Sequence, residues 1–191
     1  MLDLTVAIPT YNGEKRLPEV LEKLRSQTGT DAIVWEVLVV DNNSSDGTAE
    51  VVRQYQQNWL SDVPLRYCLE TQQGAAFARK RAVQESQAEL IGFLDDDNVP
   101  QWDWVSEAVK FSREYPQAGA YGSQIHGIFE AEPPPNFERI KAFLAITERG
   151  SRPHLYEPKI KMLPPSAGLV VRRRTWLENV PSQMILTGRV G

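Results

Sequence analysis

Four short runs of aliphatic and β-branched residues recur in the first half of the chain, and the segments between them carry apolar residues at helical spacing. Leu4-Thr5-Val6-Ala7-Ile8 is stopped by Pro9, and after Asn12-Gly13 the residues Leu17, Val20, Leu21 and Leu24 fall on one helical face. Val37-Leu38-Val39-Val40 is the next run, followed by a polar turn from Asp41 to Thr48 and the stripe Thr48, Val51, Val52 and Tyr55. Leu65-Arg66-Tyr67-Cys68-Leu69 and Leu90-Ile91-Gly92-Phe93-Leu94 read as two more strands, with an Ala-rich helix from near Gly74 to Glu85 between them. Strands that alternate with helices are joined by crossovers, which lay helices over both faces of a mostly parallel sheet. A three-layer α/β/α architecture is therefore expected.

Beyond Asp97 the pattern loosens. Trp104, Val105, Ala108 and Val109 suit a helix, and Ala118 to Phe129 suits one or two strands. Pro133-Pro134-Pro135 reads as a loop. Phe137, Ile140, Phe143 and Leu144 predict another short helix, and Leu169-Val170-Val171 a later strand. The 191 residues suffice for one sizeable domain. A formal net charge of -4 argues against nucleic acid as a partner, since a nucleic-acid binder usually shows a basic excess.

Cys68 is the one cysteine, so it forms no intrachain disulfide; it reads as core, and a reducing compartment follows. The N-terminus has no signal-peptide pattern, and no apolar stretch is long enough to span a membrane. These features predict a cytoplasmic chain, with peripheral contact at the inner face of the membrane left open. The last residues, Leu186-Thr187-Gly188-Arg189-Val190-Gly191, show no closing helix, which predicts a piece of a longer protein.

The run Leu90–Leu94 ends directly in Asp95-Asp96-Asp97. A buried strand that ends in acids puts negative charge at the sheet edge where α/β folds bind ligands, and crowding among the acids favours a cation. In an extended segment Asp95 and Asp97 share one face while Asp96 takes the other. Oxygen-only ligation suits Mg²⁺ or Mn²⁺, shared with substrate phosphates. The same acids also fit a solvated turn ahead of the helix near Trp102-Asp103-Trp104. Pro9-Thr10-Tyr11-Asn12-Gly13 and Asp41 reach the same edge of a parallel sheet. Asp41 can accept hydrogen bonds from a nucleobase or ribose, and Tyr11 can stack on a base, while both also suit plain turn chemistry.

Four segments in order resemble the inverting glycosyltransferases of family 2, which have the GT-A fold. They are Val6-Ala7-Ile8-Pro9-Thr10-Tyr11-Asn12, Val39 through Thr48, Gly74-Ala75-Ala76-Phe77-Ala78-Arg79, and Phe93-Leu94-Asp95-Asp96-Asp97. The resemblance implies a nucleotide-sugar donor, with Pro9, Thr10, Tyr11, Asn12 and Asp41 lining the nucleoside pocket and Arg79 near it. It places Asp95 and Asp96 beside ribose and sugar and gives the metal to Asp97, with Asp95 as a second ligand. It implies a sugar or lipid-linked sugar acceptor in polysaccharide or glycoconjugate synthesis. Residues 1–97 become a nucleotide-binding half and residues 98–191 part of an acceptor-binding half.

Two departures from the family pattern stand out. Arg79-Lys80-Arg81-Ala82 replaces the family's Arg-Asn and following Gly, so only Arg79 carries over. The family's acidic base, often in a Glu-Asp pair, lies downstream of the segment resembling Ser166-Ala167-Gly168-Leu169-Val170-Val171, and no such pair follows here. Glu178 is the single acid after Val171, and its setting predicts a surface helix. The base is then expected beyond Gly191, and this chain is expected to bind donor and to transfer sugar poorly or not at all.

Other residues carry two readings each. Arg172-Arg173-Arg174 suits a diphosphate, an anionic acceptor, a membrane surface, or a solvated strand end. Trp102 or Trp104 suits a sugar platform, with one of them in the core. Gly168 suits close approach of an acceptor or a simple turn. His126 and His154 lack metal-ligand spacing. A dinucleotide-dependent oxidoreductase is the rival enzyme because of Asp41, but the first turn lacks Gly-x-Gly-x-x-Gly. A non-catalytic nucleotide-binding module is the alternative from another class.

Overall fold

The computed structural model describes residues 2–129, 131–144, 146–148, 150, 152–157, 159 and 164–181. Its elements run in the order β1 (Leu4–Thr10), α1 (Leu17–Arg25), β2 (Trp35–Asp41), α2 (Thr48–Gln57), β3 (Leu65–Leu69) and α3 (Ala75–Glu85). They continue with β4 (Leu90–Phe93), α4 (Trp104–Glu114), β5 (Ala120–Gly122), β6 (Leu169–Arg172) and α5 (Arg173–Asn179). The predicted tail Leu186–Gly191 lies outside the described residues.

Six strands form one sheet in the order β3-β2-β1-β4-β6-β5. β1 to β4 are parallel, as the alternation predicts, whereas β6 runs antiparallel to both β4 and β5. Strand order reverses at β1, because β2 lies on one side of it and β4 on the other, and open α/β sheets bind ligands at such a point. Thr10 pairs with Asp41 and Ala7 with Phe93, so β1, β2 and β4 end on the same edge. β6 starts there too, since Leu169 faces Phe93.

Alternation along β1 sends Leu4, Val6 and Ile8 to one face and Ala7 to the other. The first face packs on Leu17, Val20, Leu21 and Leu24 of α1, Val52 of α2, and Val105 and Val109 of α4. All four α1 residues are buried, and each such side chain contributes about 1.5–3 kcal/mol. The second face sets Leu38, Val40, Ile91 and Phe93 against Ala78, Ala82 and Val83 of α3, with Trp176 of α5 at its margin. Helices thus cover both faces, and the three layers are present. Cys68 is half-buried against this second core, and burial pushes its thiol up.

The structure narrows two expectations and corrects a third, the short helix. Within Ala118–Phe129 the regular strand is limited to Ala120–Gly122, with an isolated bridge from Ile125 to Thr147. The spacing of Phe137, Ile140, Phe143 and Leu144 yields two short 3-10 turns, Phe137–Arg139 and Lys141–Leu144. Phe143 is 88% exposed, so that apolar stripe has no core to hold it in an α-helix. The arginine run lies away from the acidic edge, because Arg172 opposes Leu90 at the start of β4. Arg172 donates to the carbonyls of Ala118 and Ser112, Arg173 to that of Val83, and Arg174 pairs with Glu178.

Candidate functional site

β4 delivers three acids into a turn. The Asn98 N–H donates to the Asp95 carbonyl at 3.0 Å, which places Asp96 and Asp97 at the centre of a four-residue turn. The strict alternation of an extended strand therefore stops before these side chains. Asp95 accepts from Arg79 Nη2 of α3 at 3.0 Å, which leaves its second oxygen unpaired among the described residues. Asp96 is buried; its Oδ1 accepts from Arg16 Nε at 2.8 Å, and its Oδ2 from Arg16 Nη2 at 2.9 Å and the Thr10 hydroxyl at 2.5 Å. Asp97 is exposed, with no hydrogen bond or ion pair among the described residues.

Two of the three carboxylates thus have an arginine of their own, and the crowding expected from sequence is relieved from within. Burial pushes the Asp95 carboxyl up, Arg79 pulls it down, and Asp97 adds a smaller upward push. Asp97 is the one acid of the three without an arginine of its own among the described residues. Among the described residues no group of three or more Asp, Glu, His or Cys side chains converges on one point. Mg²⁺ sites commonly use only one or two carboxylates and fill the rest with water and phosphate. Asp97, with the second oxygen of Asp95, fits a cation held jointly with a diphosphate. Arg79 Nε and Asn98 Oδ1 are also buried without a partner beside this turn.

The loop after β1 approaches from the other side of the reversal. Asn12 takes a left-handed conformation with φ of 51°. Its N–H donates to Ser44 Oγ and its Oδ1 accepts from the Ser45 N–H, each at 2.9 Å. The Gly13 N–H donates to Thr48 Oγ1 at 2.9 Å, so the β2–α2 loop holds this segment firmly. A Cβ on Gly13 would lie 2.1 Å from Thr10 Oγ1 and 2.8 Å from Asp96 Oδ2, which only glycine avoids. Tyr11 stands at the rim, 37% exposed.

Asp41 is buried at the end of β2; its Oδ1 accepts from the Ser44 N–H at 2.9 Å and its Oδ2 from the Tyr67 hydroxyl at 2.8 Å. Burial, and then the hydrogen bond to Asp41, push Tyr67 up to about 12, so the phenol stays a donor. A carboxylate has about four lone-pair sites, so Asp41 keeps capacity for a further donor. Next to it, Asn42 Nδ2 donates to the carbonyls of Glu70 and Gln72, and its Oδ1 accepts from the Gly74 N–H. Asn42 thereby ties the approach to α3, and hence Arg79, to the end of β2.

The edge thus gathers Pro9, Thr10, Tyr11, Asn12, Asp41, Arg79, Asp95, Asp96 and Asp97. Gly168 joins them: its φ is 69°, and its N–H donates to the Phe93 carbonyl at 2.8 Å, so it turns the chain into β6. Trp102 is 62% exposed and Trp104 is the tryptophan in the core. Glu178 is an exposed partner of Arg174, as a surface helix residue. Sequence reasoning missed Arg16, Asn42, Tyr67 and Asn98. Arg16 did leave a signal, since a cation at the first turn of a helix opposes the helix dipole and needs a nearby anion.

An open α/β sheet with an acidic turn and a polar loop at its reversal is the frame of a nucleotide-binding α/β domain. The sequence profile described as Glycosyl transferase family 2 matches residues 5–179, and the chain belongs to that family. It is 36% identical over 107 residues to the glycosyltransferase AglE of Haloferax volcanii, covering 56% of this chain and 34% of that protein. It is 32% identical over 112 residues to human dolichyl-phosphate beta-glucosyltransferase, covering 56% and 35%.

The crystal structure of S. aureus TarS 1-349 in complex with UDP-GlcNAc shares the fold, with a TM-score of 0.69 at 22% identity over 93% of this chain and 47% of that one. The mannosyltransferase PcManGT from Pyrobaculum calidifontis, in complex with GDP-Man and Mn²⁺, gives a TM-score of 0.57 at 32% identity over 65% and 35%. The fold is thus the GT-A fold of glycosyltransferases. The chain spans between a third and a half of the length of these relatives. Family membership also overturns the oxidoreductase rival.

Proposed function

We propose that this chain binds a nucleoside-diphosphate sugar across the carboxyl edge of β1, β2 and β4, and that the protein transfers the sugar to a hydroxyl acceptor with inversion. Asp97 carries the reading, as the one carboxylate of the acidic turn without a partner among the described residues, set where strand order reverses. Pro9, Thr10, Tyr11, Asn12 and Asp41 receive the nucleoside with Arg79 near it, Asp95 lies beside ribose and sugar, and Asp97 meets the cation with Asp95 as its second ligand. Mg²⁺ or Mn²⁺, when bound, neutralises charge on the departing diphosphate as a Lewis acid. Residues 1–97 form the donor half, and residues 98–191, with Gly168 and Trp102, contribute to the acceptor half.

The complexes of structural neighbours with UDP-GlcNAc and with GDP-Man support those donors as the first to test. Relatives named for dolichyl phosphate and poly(ribitol-phosphate) support a lipid-linked or polymeric acceptor in glycoconjugate synthesis. No described helix is long and apolar enough to cross a membrane, and peripheral contact at its cytoplasmic face is the arrangement we propose. Glu178 is engaged by Arg174, and we place the general base beyond Gly191.

Calorimetric titration with UDP and GDP, with and without Mn²⁺, tests this reading. Mn²⁺ is expected to tighten nucleotide binding at least about tenfold, or about 1.4 kcal/mol. Asp97→Ala is expected to abolish that tightening while leaving metal-free binding in place. Equal tightening in the variant would remove Asp97 from the site.

A further inference from the structure

Asp96 differs from both neighbours in facing the protein. It is 8% exposed, and three donors converge on it: Arg16 Nε, Arg16 Nη2 and the Thr10 hydroxyl. Arg16 Nη2 also donates to the Tyr11 carbonyl at 3.0 Å. Gly13 completes the closure, since any side chain there would meet Thr10 Oγ1 and Asp96 Oδ2. A stretch of the β1 loop from Thr10 to Arg16 thus closes on one carboxylate of the β4 turn.

The place of this clasp matters. The pairing of β1 with β4 ends at Ala7 and Phe93, with a last backbone bond from the Leu94 N–H to the Ala7 carbonyl at 3.0 Å. Beyond it, β1 runs on to Thr10 paired only with β2. Among the described residues no backbone hydrogen bond joins the β1 loop to the acidic turn. The side chains of Asp96, Arg16 and Thr10 therefore bridge the gap at the reversal.

We propose that Asp96 is a positioning residue rather than a ligand of the donor: its clasp fixes the turn that carries Asp97 against the loop that carries Tyr11 and Asn12, and so couples cation binding to nucleotide binding. This rests on the functional reading above. Coupling of this kind is reciprocal, so the cation tightens the nucleotide by the factor by which the nucleotide tightens the cation. The residue types are demanding. Three donors need the lone pairs of both carboxylate oxygens, and an Asn offers one acceptor oxygen and sets its own N–H groups against those of Arg16 or Thr10. Without its anion, Arg16 sits unfavourably at the positive end of α1. A Lys at this position keeps the charge and loses the two-pronged geometry.

A structural role alone predicts a different outcome from a coupling role. Asn12 and Gly13 are held independently by Ser44, Ser45 and Thr48, so breaking the clasp leaves the nucleoside loop in place and frees only the acidic turn. The test titrates UDP and GDP with and without Mn²⁺ into wild type, Asp96→Asn, Arg16→Met and Arg16→Lys, with thermal unfolding of each. In Asp96→Asn and Arg16→Met the tightening by Mn²⁺ is expected to fall about tenfold while metal-free nucleotide affinity holds, with Arg16→Lys in between. Full tightening in a folded Asp96→Asn overturns the proposal, as does a loss shared equally by metal-free and metal-bound affinity. If Asp96→Asn does not fold, the same two outcomes in Arg16→Met decide. Wild type that shows no effect of Mn²⁺ overturns the functional reading and the coupling with it.

Discussion

A buried carboxylate has to be satisfied before any ligand arrives, and Asp41 is satisfied by the Ser44 N–H and the Tyr67 hydroxyl. Tyr67→Phe removes one of these donors and leaves a charged oxygen buried, so unfolding in urea is expected to show a loss of about 1.5–3 kcal/mol. The loss is expected to be constant through neutral pH, because the phenol is held at about 12, far above that range. A variant as stable as wild type would show that water replaces the hydroxyl. Asp41 was legible in the sequence because a polar residue directly after an apolar strand marks the sheet edge. Its partner was not, since alternation in β3 assigns Tyr67 to a face without saying what it meets there. The acidic run shows the same limit: three aspartates announce a charged turn, while the arginine that each of two takes depends on α1 and α3 arriving from elsewhere in the chain.

Among the elements, most were legible, α1, α2 and α4 from their apolar stripes, α3 from its alanines and β6 from the run Leu169-Val170-Val171. α1, α2 and α4 follow their spacing because Leu21, Val52 and Val105 have a sheet face to cover. What the sequence did not show is where β5 and β6 go: three and four residues are too short to show a period, and their antiparallel pairing joins segments far apart in sequence. The β2–α2 loop shows how a polar connection earns its rigidity. Asp46 accepts from the N–H groups of Glu14 and Thr48 and from the Thr48 hydroxyl, while Glu14 accepts from the Gly47 N–H. Desolvation pushes the Asp46 carboxyl up, but those hydrogen bonds outweigh it and hold it below the ordinary value. A carboxyl lowered by folding stabilises the protein above its unfolded pKa, about 3.9, and that contribution is lost as the pH falls through the lower folded value. Asp46→Ala is therefore expected to lower stability at pH 7 and to lose less than wild type on acidification below about pH 4. Parallel stability curves for the two proteins, from urea unfolding across that range, would show that the loop does not depend on this charge.

For the whole molecule, the balance of charge at the edge links stability to ligand. Arg79 and Arg16 neutralise two of three adjacent acids, which lets the ligand-free protein fold with Asp97 as the remaining unpaired charge of the turn. Removing that charge relieves repulsion and breaks no hydrogen bond, so ligand-free Asp97→Ala is expected to melt at or slightly above the wild-type temperature. A ligand that binds only the folded state raises stability by about 2.7 kcal/mol at one hundred times its Kd. For a chain of this size that corresponds to a rise in Tm of about 5–10 °C. Wild type with UDP or GDP and Mn²⁺ is expected to show such a rise and to lose it with chelator, whereas Asp97→Ala is expected to show none of the metal-dependent part. The effect belongs to the whole fold, because the ligand would bridge the ends of β1, β2 and β4, the strands on which both hydrophobic cores are built. A ligand-free Asp97→Ala that melts well below wild type would instead assign Asp97 a structural partner and return the acidic turn to the role of a helix-leading loop.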